Sequence, residues 1–396
     1  MKILFLDQSG KPGGAELCLI DIAKPYRDSC LVGLFADGSF RQLLEQQQIP
    51  VEVLATQAIQ VRKESSFVQS LGSLGSVAPL IARVAKKAKQ YDLIYANTQK
   101  ALVVGALASF FGRRPLVYHL HDILSSDHFS SANRRLAVTL ANRFASLVIA
   151  NSQASKTAFW EAGGRAEITE VVYNGFELDL YQSNEQDINL VRQELGLEGK
   201  FIVGHFSRLS PWKGQHVLIE SLTQCPSDVT AILVGDALFG EQDYVRKLHE
   251  KVAELGLEER VKFLGFRSDV VPLMKSCDLI AHTSIAPEPF GRVIVEAMLC
   301  GKLAIASAAG GAIELVEHGV TGFLVPPGEP EKLADVIKTC RNQPEYTTAI
   351  ARSGQIQASD RLNVKNINQQ IKELLEKIET NRVSVREAMR DSALDN

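Results

Sequence analysis

Short apolar segments alternate with segments of helical periodicity along almost the whole chain, and this alternation constrains the fold more than any other feature. The first apolar segment, residues 3–6, ends at Asp7 and leads through a glycine-rich stretch into helical spacing over residues 15–23. Strands that are apolar on both faces are typical of parallel sheets covered by helices on both sides. The chain is therefore predicted to be an α/β protein with doubly wound parallel sheets. Further apolar segments of the first half lie at 31–36, 51–54, 93–96, 116–120 and 147–150.

A second series of apolar segments begins at residue 201, and a length of 396 residues also favours two cores over one. We predict a first domain over residues 1–180, a polar and acidic linker over 181–199, and a second domain over 200–364. Residues 365–382 have the spacing of a final helix. Residues 383–396 contain few apolar side chains and are expected to be loosely ordered.

The charge balance gives no support to nucleic-acid binding, because 43 Lys and Arg face 46 Asp and Glu, for a net charge of −3. The six cysteines form no CxxC pair, which favours free thiols in a reducing compartment. The apolar start at residues 1–7 is too short for a signal peptide, and the run over 101–111 is well short of the roughly 20 residues of a membrane-spanning helix. We therefore expect a cytoplasmic protein, with any membrane contact peripheral at the inner face of the membrane.

Two glutamates, Glu288 and Glu296, flank the start of a predicted helix that is apolar on every side. A buried carboxylate is costly unless another group hydrogen-bonds or neutralises it. The amides of Phe290, Gly291 and Arg292 at the helix start favour an anion such as a phosphate. The spacing fits a ligand site with a phosphate at the amides and ligand hydroxyls on both acids. It fits equally well an N-terminal cap at the first acid and a core ion pair at the second.

Two loops that follow predicted strands carry groups suited to anions. Gly13 and Gly14 let backbone amides approach an anion closely, although a glycine pair also suits a simple flexible turn. Arg208 and Lys213 lie in one strand-to-helix loop, where two cations and oriented amides could clamp a diphosphate. As isolated residues, the two cations would be ordinary surface charges.

A pair of histidines ends the fifth predicted strand. His119 and His121 flank Leu120, so alternation puts both imidazoles on one face of the strand. Two histidines fall short of the three or four ligands that a zinc site requires. No metal site is therefore predicted, and His119 is interpreted as a structural side chain.

The segment around both glutamates resembles a known family signature. Residues 287–301, followed by 304–307, Gly310-Gly-Ala-Ile-Glu314 and 319–328, resemble the signature of retaining glycosyltransferase family 4. The resemblance implies a GT-B fold, in which two Rossmann-like domains face a central cleft and the final helix returns to the first domain. It also implies transfer of a sugar from a nucleotide-diphosphate donor to a hydroxyl, with retention at the anomeric carbon. The chain has no DxD motif, so no metal cofactor is expected.

The resemblance assigns roles to individual residues. His121 would reach the sugar or acceptor, Glu288 would hold the donor sugar's hydroxyls, and Glu296 would hold the ribose hydroxyls. The residue before the family's arginine is usually glycine and here is Ser207, which puts the local turn in question. The resemblance assigns the remaining residues to donor binding. They lie in the first glycine-rich loop, in the Arg–Lys pair, at the end of the strand after which the family's main chain reads the nucleotide base, and at the start of the helix. These residues are Gly13, Gly14, Arg208, Lys213, Gly265, Phe290, Gly291 and Arg292.

Two other functions stay open at this point, a nucleotide-sugar epimerase of GT-B fold and a catalytically silent donor-binding subunit. The acceptor is expected to be a lipid-linked or glycan hydroxyl in cell-envelope, exopolysaccharide or glycolipid synthesis. Basic residues of the first domain could bind anionic lipid head groups, or could form a solvated surface. They are Arg83, Lys86, Lys87, Lys89, Arg113, Arg114, Arg134 and Arg135.

Overall fold

The computed structural model describes residues 1–55, 74–126, 129–182, 185–237 and 240–394. These residues form two compact units, the first from Met1–Phe176 and the chain from Val364 onward, the second from Glu177–Asn363. Each unit contains one parallel sheet with helices packed on it.

The sheet of the first unit has seven strands in the order β3-β2-β1-β4-β5-β6-β7, and neighbouring strands pair in parallel. The chain leaves β1 toward one edge and later returns to β4 on its other side, so a topological switch point lies between these strands. The strands are β1 (Ile3–Asp7), β2 (Cys30–Leu34), β3 (Val51–Val53), β4 (Leu93–Ala96), β5 (Leu116–Leu120), β6 (Ala145–Ala150) and β7 (Thr169–Val171).

Helices cover both faces of this sheet, which explains why β1, β2, β4 and β5 are buried at every residue. One core includes Leu4 and Leu6, and the core on the other face includes Ile3 and Phe5, as strand alternation requires. The helices are Gly14–Ala23, Ser39–Gln46, Leu74–Ala88, Gln99–Gly112, Ser131–Phe144, Gln153–Glu161 and the terminal helix Val364–Leu394.

The terminal helix belongs to the first unit and buries Ile367, Ile371 and Leu375 in its core. The Asn368 side-chain amide also donates to the Asp21 carbonyl at 2.9 Å. The helical backbone runs to Leu394, so most of the tail that the sequence predicts as loosely ordered is helical.

The sheet of the second unit has six strands in the order β10-β9-β8-β11-β12-β13, again paired in parallel. Its switch point lies between β8 and β11. The strands are β8 (Phe201–Phe206), β9 (Val229–Val234), β10 (Val261–Gly265), β11 (Leu279–His282), β12 (Leu303–Ser307) and β13 (Phe323–Val325). The helices are Glu185–Glu194, Gln215–Ser221, Gln242–Glu254, Val270–Ser276, Arg292–Leu299, Ala312–Leu315, Pro330–Asn342 and Pro344–Arg361.

The segment predicted as a linker contains the helix Glu185–Glu194, which lies in the second unit. Its Arg192 guanidinium donates to the Ser276 carbonyl at 2.7 Å and to Asp278 at 2.9 Å. Among the side chains described in this helix, residues 188–194, Val191 is buried and Ile188 is partly buried, whereas Leu190 is 62% exposed. The apolar stripe is therefore short and interrupted, which is why apolar periodicity did not reveal the helix.

Within the described ranges, no helix combines the length and the apolar character needed to cross a bilayer. The six cysteines are all buried and free, which confirms the interpretation of free thiols.

Candidate functional site

In the second unit, Glu288 follows β11 at the switch point, and a glycine pair holds its backbone. The Gly311 amide donates to the Glu288 carbonyl at 2.7 Å. A Cβ atom at Gly310 would lie 2.3 Å from that same carbonyl oxygen, so no larger residue fits there. The glycine pair of the family signature thus fixes where the glutamate emerges from the strand.

Three donors converge on one carboxylate oxygen of Glu288. Its Oε2 accepts from Lys213 Nζ at 2.7 Å, from His282 Nε2 at 3.1 Å and from Ser284 Oγ at 3.2 Å. Burial alone would raise the pKa of this carboxyl, but the Lys213 charge and the His282 hydrogen bond outweigh it and hold the pKa far below the usual range. Glu288 is therefore a carboxylate at any physiological pH, suited to accept hydrogen bonds from ligand hydroxyls.

Lys213 reaches Glu288 because the loop after β8 turns tightly against the end of β11. A 3₁₀ turn, Pro211–Lys213, ends at Gly214 in the left-handed region with φ +69°. A Cβ at Gly214 would lie 2.0 Å from the Thr283 carbonyl oxygen. The Lys213 ammonium also lies 4.0 Å from the centre of the Trp212 ring, a cation–π distance.

Arg208 and Lys213, predicted as one diphosphate clamp, contact different carboxylates. The Arg208 Nε lies 3.6 Å from Glu241 Oε2, and the other oxygen of Glu241 accepts from Ser210 Oγ at 2.8 Å. Phosphate oxygens would therefore compete with Glu241 for Arg208 and with Glu288 for Lys213. Nothing in the sequence spacing pointed to Glu241.

Ser207 stands where the family usually has glycine, and its main chain packs tightly against another glycine. Gly235, at φ +135°, approaches so closely that a Cβ there would lie 2.0 Å from the Ser207 carbonyl oxygen. The Ser207 hydroxyl accepts from Gln215 Nε2 at 2.8 Å. The turn before Arg208 is thus hydrogen-bonded on both its main chain and its side chain, because Ser207 N donates to the Val234 carbonyl at 3.0 Å.

The helix that carries Glu296 starts after Gly291, whose φ of +101° is in the left-handed region. Phe290 is 3% exposed and anchors this turn in the core. Arg292 lies 3.6 Å from Glu296 as an i,i+4 ion pair. Burial raises the pKa of Glu296, and Arg292 only partly opposes it. Five of the eight residues of the helix Arg292–Leu299 are buried, and Arg292, Val293 and Glu296 keep partial exposure, so the helix is buried over most of its surface but not on every side as predicted.

Gly265 ends β10 with φ +64°, and its carbonyl accepts from the Gly235 amide at 2.8 Å. Gly265 therefore lies beside the end of β9, which separates it from the loop of Arg208, and β10 is one strand further from the switch point than β9. This position leaves the main chain after Gly265 at the sheet's carboxyl edge, where ligands of such folds bind.

In the first unit, Gly13 caps the helix that begins at Gly14, and both lie in the loop after β1. The Gly13 amide donates to Glu16 Oε2 at 2.9 Å, so a protein carboxylate occupies part of the anion loop. Burial and the nearby Asp7 charge raise the pKa of Glu16 to about 8. Burial also raises the pKa of Asp7 to about 6, although a hydrogen bond from Asn97 opposes this shift.

His121 follows β5 and is linked to the switch point through Asn97. Its Nε2 lies 2.9 Å from Asn97 Oδ1, while Asn97 Nδ2 donates to Asp7 Oδ2 at 2.7 Å and to the Ala15 carbonyl at 3.1 Å. Asp7 and Asn97 are both 0% exposed. Asp7, Glu16 and Asn97 were not predicted from the sequence as site residues. Asp7 nevertheless ends β1, and Asn97 directly follows the adjacent parallel strand β4.

His119 is buried, and its Nδ1 lies 2.8 Å from the Tyr95 hydroxyl, as a structural interpretation requires. Burial holds the pKa of His119 well below the usual range. Potential ligand atoms of Cys18, His119 and His121 lie within 4.8 Å of one another. The two imidazoles stack with centroids 3.9 Å apart and planes 37° apart. Three candidate ligands are one fewer than the four protein ligands of a structural zinc site.

Comparison with known proteins agrees with this geometry. A family model described as Glycosyltransferase Family 4 matches residues 12–180, and one described as Glycosyl transferases group 1 matches residues 187–357. The crystal structure of Anabaena Alr3699/HepE in complex with UDP-glucose is 66% identical, with a TM-score of 0.89 over 95% of this chain and 100% of that chain. The chain belongs to glycosyltransferase family 4. The predicted GT-B fold class, with two Rossmann-like parallel-sheet domains, is confirmed.

Two curated relatives are more distant. An uncharacterized glycosyltransferase of Methanocaldococcus jannaschii is 30% identical over 260 residues, which are 62% of this chain and 65% of the relative. Spore coat protein SA of Bacillus subtilis is 29% identical over 223 residues, or 53% and 59% of the two chains. The chain therefore spans less than two thirds of the length of these curated relatives.

Proposed function

We propose that this protein transfers glucose from UDP-glucose to a hydroxyl acceptor, with retention at the anomeric carbon and without a bound metal ion. The observation that carries the proposal is the contact between Lys213 and Glu288. A glycosyl–phosphate bond has a diphosphate at one end and sugar hydroxyls at the other. A cation and a carboxylate side by side match these two ends. The identity of the donor is taken from Anabaena Alr3699/HepE, which is 66% identical and was crystallised with UDP-glucose.

The charges of the second unit fit the departure of a diphosphate. Lys213, Arg208 and the amides at the start of the helix Arg292–Leu299 would neutralise negative charge that grows on the leaving group. Glu288, held ionised by its neighbours, would accept from the hydroxyls of the donor sugar through Oε1. Glu296 would accept from the ribose hydroxyls, and His121 would contact a hydroxyl of the sugar or acceptor.

The proposed step follows a front-face path. The bond between the anomeric carbon and the β-phosphate oxygen breaks, and the acceptor oxygen bonds to the same face of that carbon. The acceptor's proton passes to the leaving phosphate oxygen, so no protein base is needed. A low pKa at Glu288 suits this path, because its carboxylate then stabilises positive character on the sugar without taking the proton.

The proposal is tested by nucleotide release from UDP-, GDP- and ADP-sugars in the presence of EDTA and without acceptor. We expect release from UDP-glucose, reduced at least about a hundredfold by Glu288→Ala. The matched control is Glu258→Ala, at an exposed glutamate of the same unit, which should leave release unchanged. Equal release by both variants, or release that requires Mg²⁺, would overturn the assignment. Binding of a donor without any release would favour a silent subunit.

The acceptor is proposed to be a lipid-linked or glycan hydroxyl, reached through peripheral membrane contact of the first unit. Phe110 and Phe111 are 63% and 64% exposed, and Arg113 follows them at the end of the same helix. Exposed aromatic rings beside cations suit a membrane interface. Arg83 and Lys87 suit it less, since both pair with Glu52. Flotation with anionic vesicles, compared between wild type and Phe110→Ser/Phe111→Ser, would test the contact, and equal flotation of the two proteins would exclude it.

A further inference from the structure

We propose that Asn97, anchored by Asp7, is a positioning residue that fixes the tautomer and the ring orientation of His121. This inference rests on the proposed role of His121 at a sugar or acceptor hydroxyl. It concerns residues that act through the histidine and do not touch the substrate.

The direction of the Asn97 amide follows from its partners. Its Nδ2 lies 3.1 Å from the Ala15 carbonyl oxygen, which can only accept, and 2.7 Å from Asp7 Oδ2. The amide nitrogen must therefore point to both groups, and the amide oxygen must point to His121. The Asn97 backbone amide donates to the Leu6 carbonyl at 3.0 Å, which fixes the residue against β1.

The tautomer of His121 follows from this amide direction. Asn97 Oδ1 can only accept, so the His121 Nε2 at 2.9 Å must carry the proton. The lone pair of the neutral ring is then on Nδ1. The ring is also held by stacking on His119, with centroids 3.9 Å apart. A neutral imidazole fixed in this way presents an acceptor at Nδ1 rather than a mixture of donor and acceptor.

Among the described residues, Asn97 at the end of β4 accepts from His121 Nε2, and His119 of β5 stacks on the His121 ring. Cys18, on the helix Gly14–Ala23, has its sulfur within 4.8 Å of potential ligand atoms of both histidines. Three acids belong to the same network: Asp7 accepts from Asn97, the charges of Asp7 and Asp122 act on Glu16, and Asp122 follows His121 in the chain. The group that hydrogen-bonds His121 Nε2 is thus the neutral Asn97 and not one of these acids.

The test combines ¹⁵N NMR of the His121 ring with the rate of UDP release, in the whole chain of 396 residues. We expect the wild type to show the Nε2–H tautomer. Asn97→Ala should give mixed tautomers and turnover lowered about tenfold or more, with the KM for UDP-glucose changed less than about threefold. Asn97→Asp keeps the acceptor toward His121, but it replaces the donor toward Asp7 and the Ala15 carbonyl by an oxygen, which must carry a proton in that position. It should therefore keep the Nε2–H tautomer and lower turnover less than Asn97→Ala does.

Tyr95→Phe is the matched control, because it removes a buried hydrogen bond from the neighbouring His119 and leaves the Asn97 contact intact. It should change neither the His121 tautomer nor the rate of UDP release. An unchanged tautomer in Asn97→Ala, or loss of the Nε2–H tautomer in Asn97→Asp, would overturn the inference. If the tautomer changes but His121→Ala releases UDP at the wild-type rate, the positioning stands and the proposed role of His121 fails.

Discussion

Breaking the ion pair between Lys213 and Glu288 should destabilise the protein by an amount that the burial of the two side chains determines. The two side chains are only 15% and 13% exposed, and Nζ lies 2.7 Å from Oε2. Removing one member of a buried pair leaves the other charge buried without a partner. This lowers the free energy of unfolding by about 3 kcal/mol, which is in the lower part of the known range because both side chains keep some exposure. Lys213→Met should cost less than Glu288→Gln, because His282 and Ser284 still donate to the carboxylate.

The assay is a double-mutant cycle measured by urea unfolding and by UDP release. We expect the double variant Lys213→Met/Glu288→Gln to be more stable than Glu288→Gln alone, because neither charge is then left buried without a partner. Each single change should lower turnover about a hundredfold, and the double change should not multiply these losses, since the two residues act together. Additive losses of stability and of turnover would refute the reasoning. The control cycle is Arg246 and Asp243, a pair 70% and 77% exposed, whose coupling should stay below about 1 kcal/mol.

The pH dependence of this cycle has a definite sign. The folded-state pKa of Glu288 lies below its ordinary value of 4.5, so the unfolded state takes up protons first as the pH falls. The stabilisation is complete above about pH 5 and is lost progressively at lower pH. The cost of Glu288→Gln should therefore be full at pH 7 and smaller at pH 3.5, and a cost that stays constant between these values would contradict the assigned shift.

Three further predictions concern other residues of the two units. Glu16 has a pKa raised from 4.5 to about 8, so the folded state binds the extra proton and stability falls as the pH rises through this window. Glu16→Gln should thus stabilise the protein more at pH 9 than at pH 6 in thermal unfolding, and a pH-independent effect would exclude the shift. Gly214→Ala should cost roughly 1 kcal/mol for its left-handed backbone and a further 1–3 kcal/mol for the clash with Thr283, by urea unfolding. Gly256→Ala, at φ +63° with nothing within 4 Å, should cost only the first amount, and equal costs would refute the clash. Glu296→Gln should weaken UDP binding about tenfold by calorimetry, the loss of one charged hydrogen bond, with turnover changed less than about threefold; unchanged UDP affinity would remove the ribose assignment.

Sequence reasoning located the sheets because their strands are buried on both faces. Segments such as residues 3–6 and 231–234 read as continuous apolar runs, and parallel pairing covered by helices is the structure that buries such runs. The same reasoning missed the helix Glu185–Glu194, in which Val191 is buried and Ile188 only partly so among the described side chains. Apolar periodicity detects elements by their buried stripe, so a helix with a short stripe that is also anchored by a polar side chain such as Arg192 escapes it.

The site was predicted where its residues are close in sequence and missed where the sheet order brings them together. Glu288 and the glycine pair at 310–311 belong to one continuous signature, so both were found. Asn97 contacts Asp7 only because β4 lies beside β1, and Lys213 contacts Glu288 only because β8 lies beside β11. Pairing order across a switch point is not encoded in local spacing. A polar residue directly after an apolar strand was nevertheless a usable signal for both Asp7 and Asn97.

The acids of the two units show how one cation decides the state of a buried carboxyl. Burial is the largest influence on Asp7, Glu16 and Glu288 alike, and it favours the neutral acid in each case. In the first unit burial raises the pKa of Asp7 to about 6, and burial together with the Asp7 charge raises the pKa of Glu16 to about 8. In the second unit Lys213 and His282 together reverse the effect of burial, and Glu288 is ionised. The first unit can therefore hold a proton near neutral pH at its switch point, whereas the second presents a fixed negative charge beside a fixed positive one. This difference fits the proposed roles of the two units, because the glycosyl–phosphate bond of the donor needs two opposite charges, whereas a hydroxyl near His121 needs a neutral hydrogen-bonding partner.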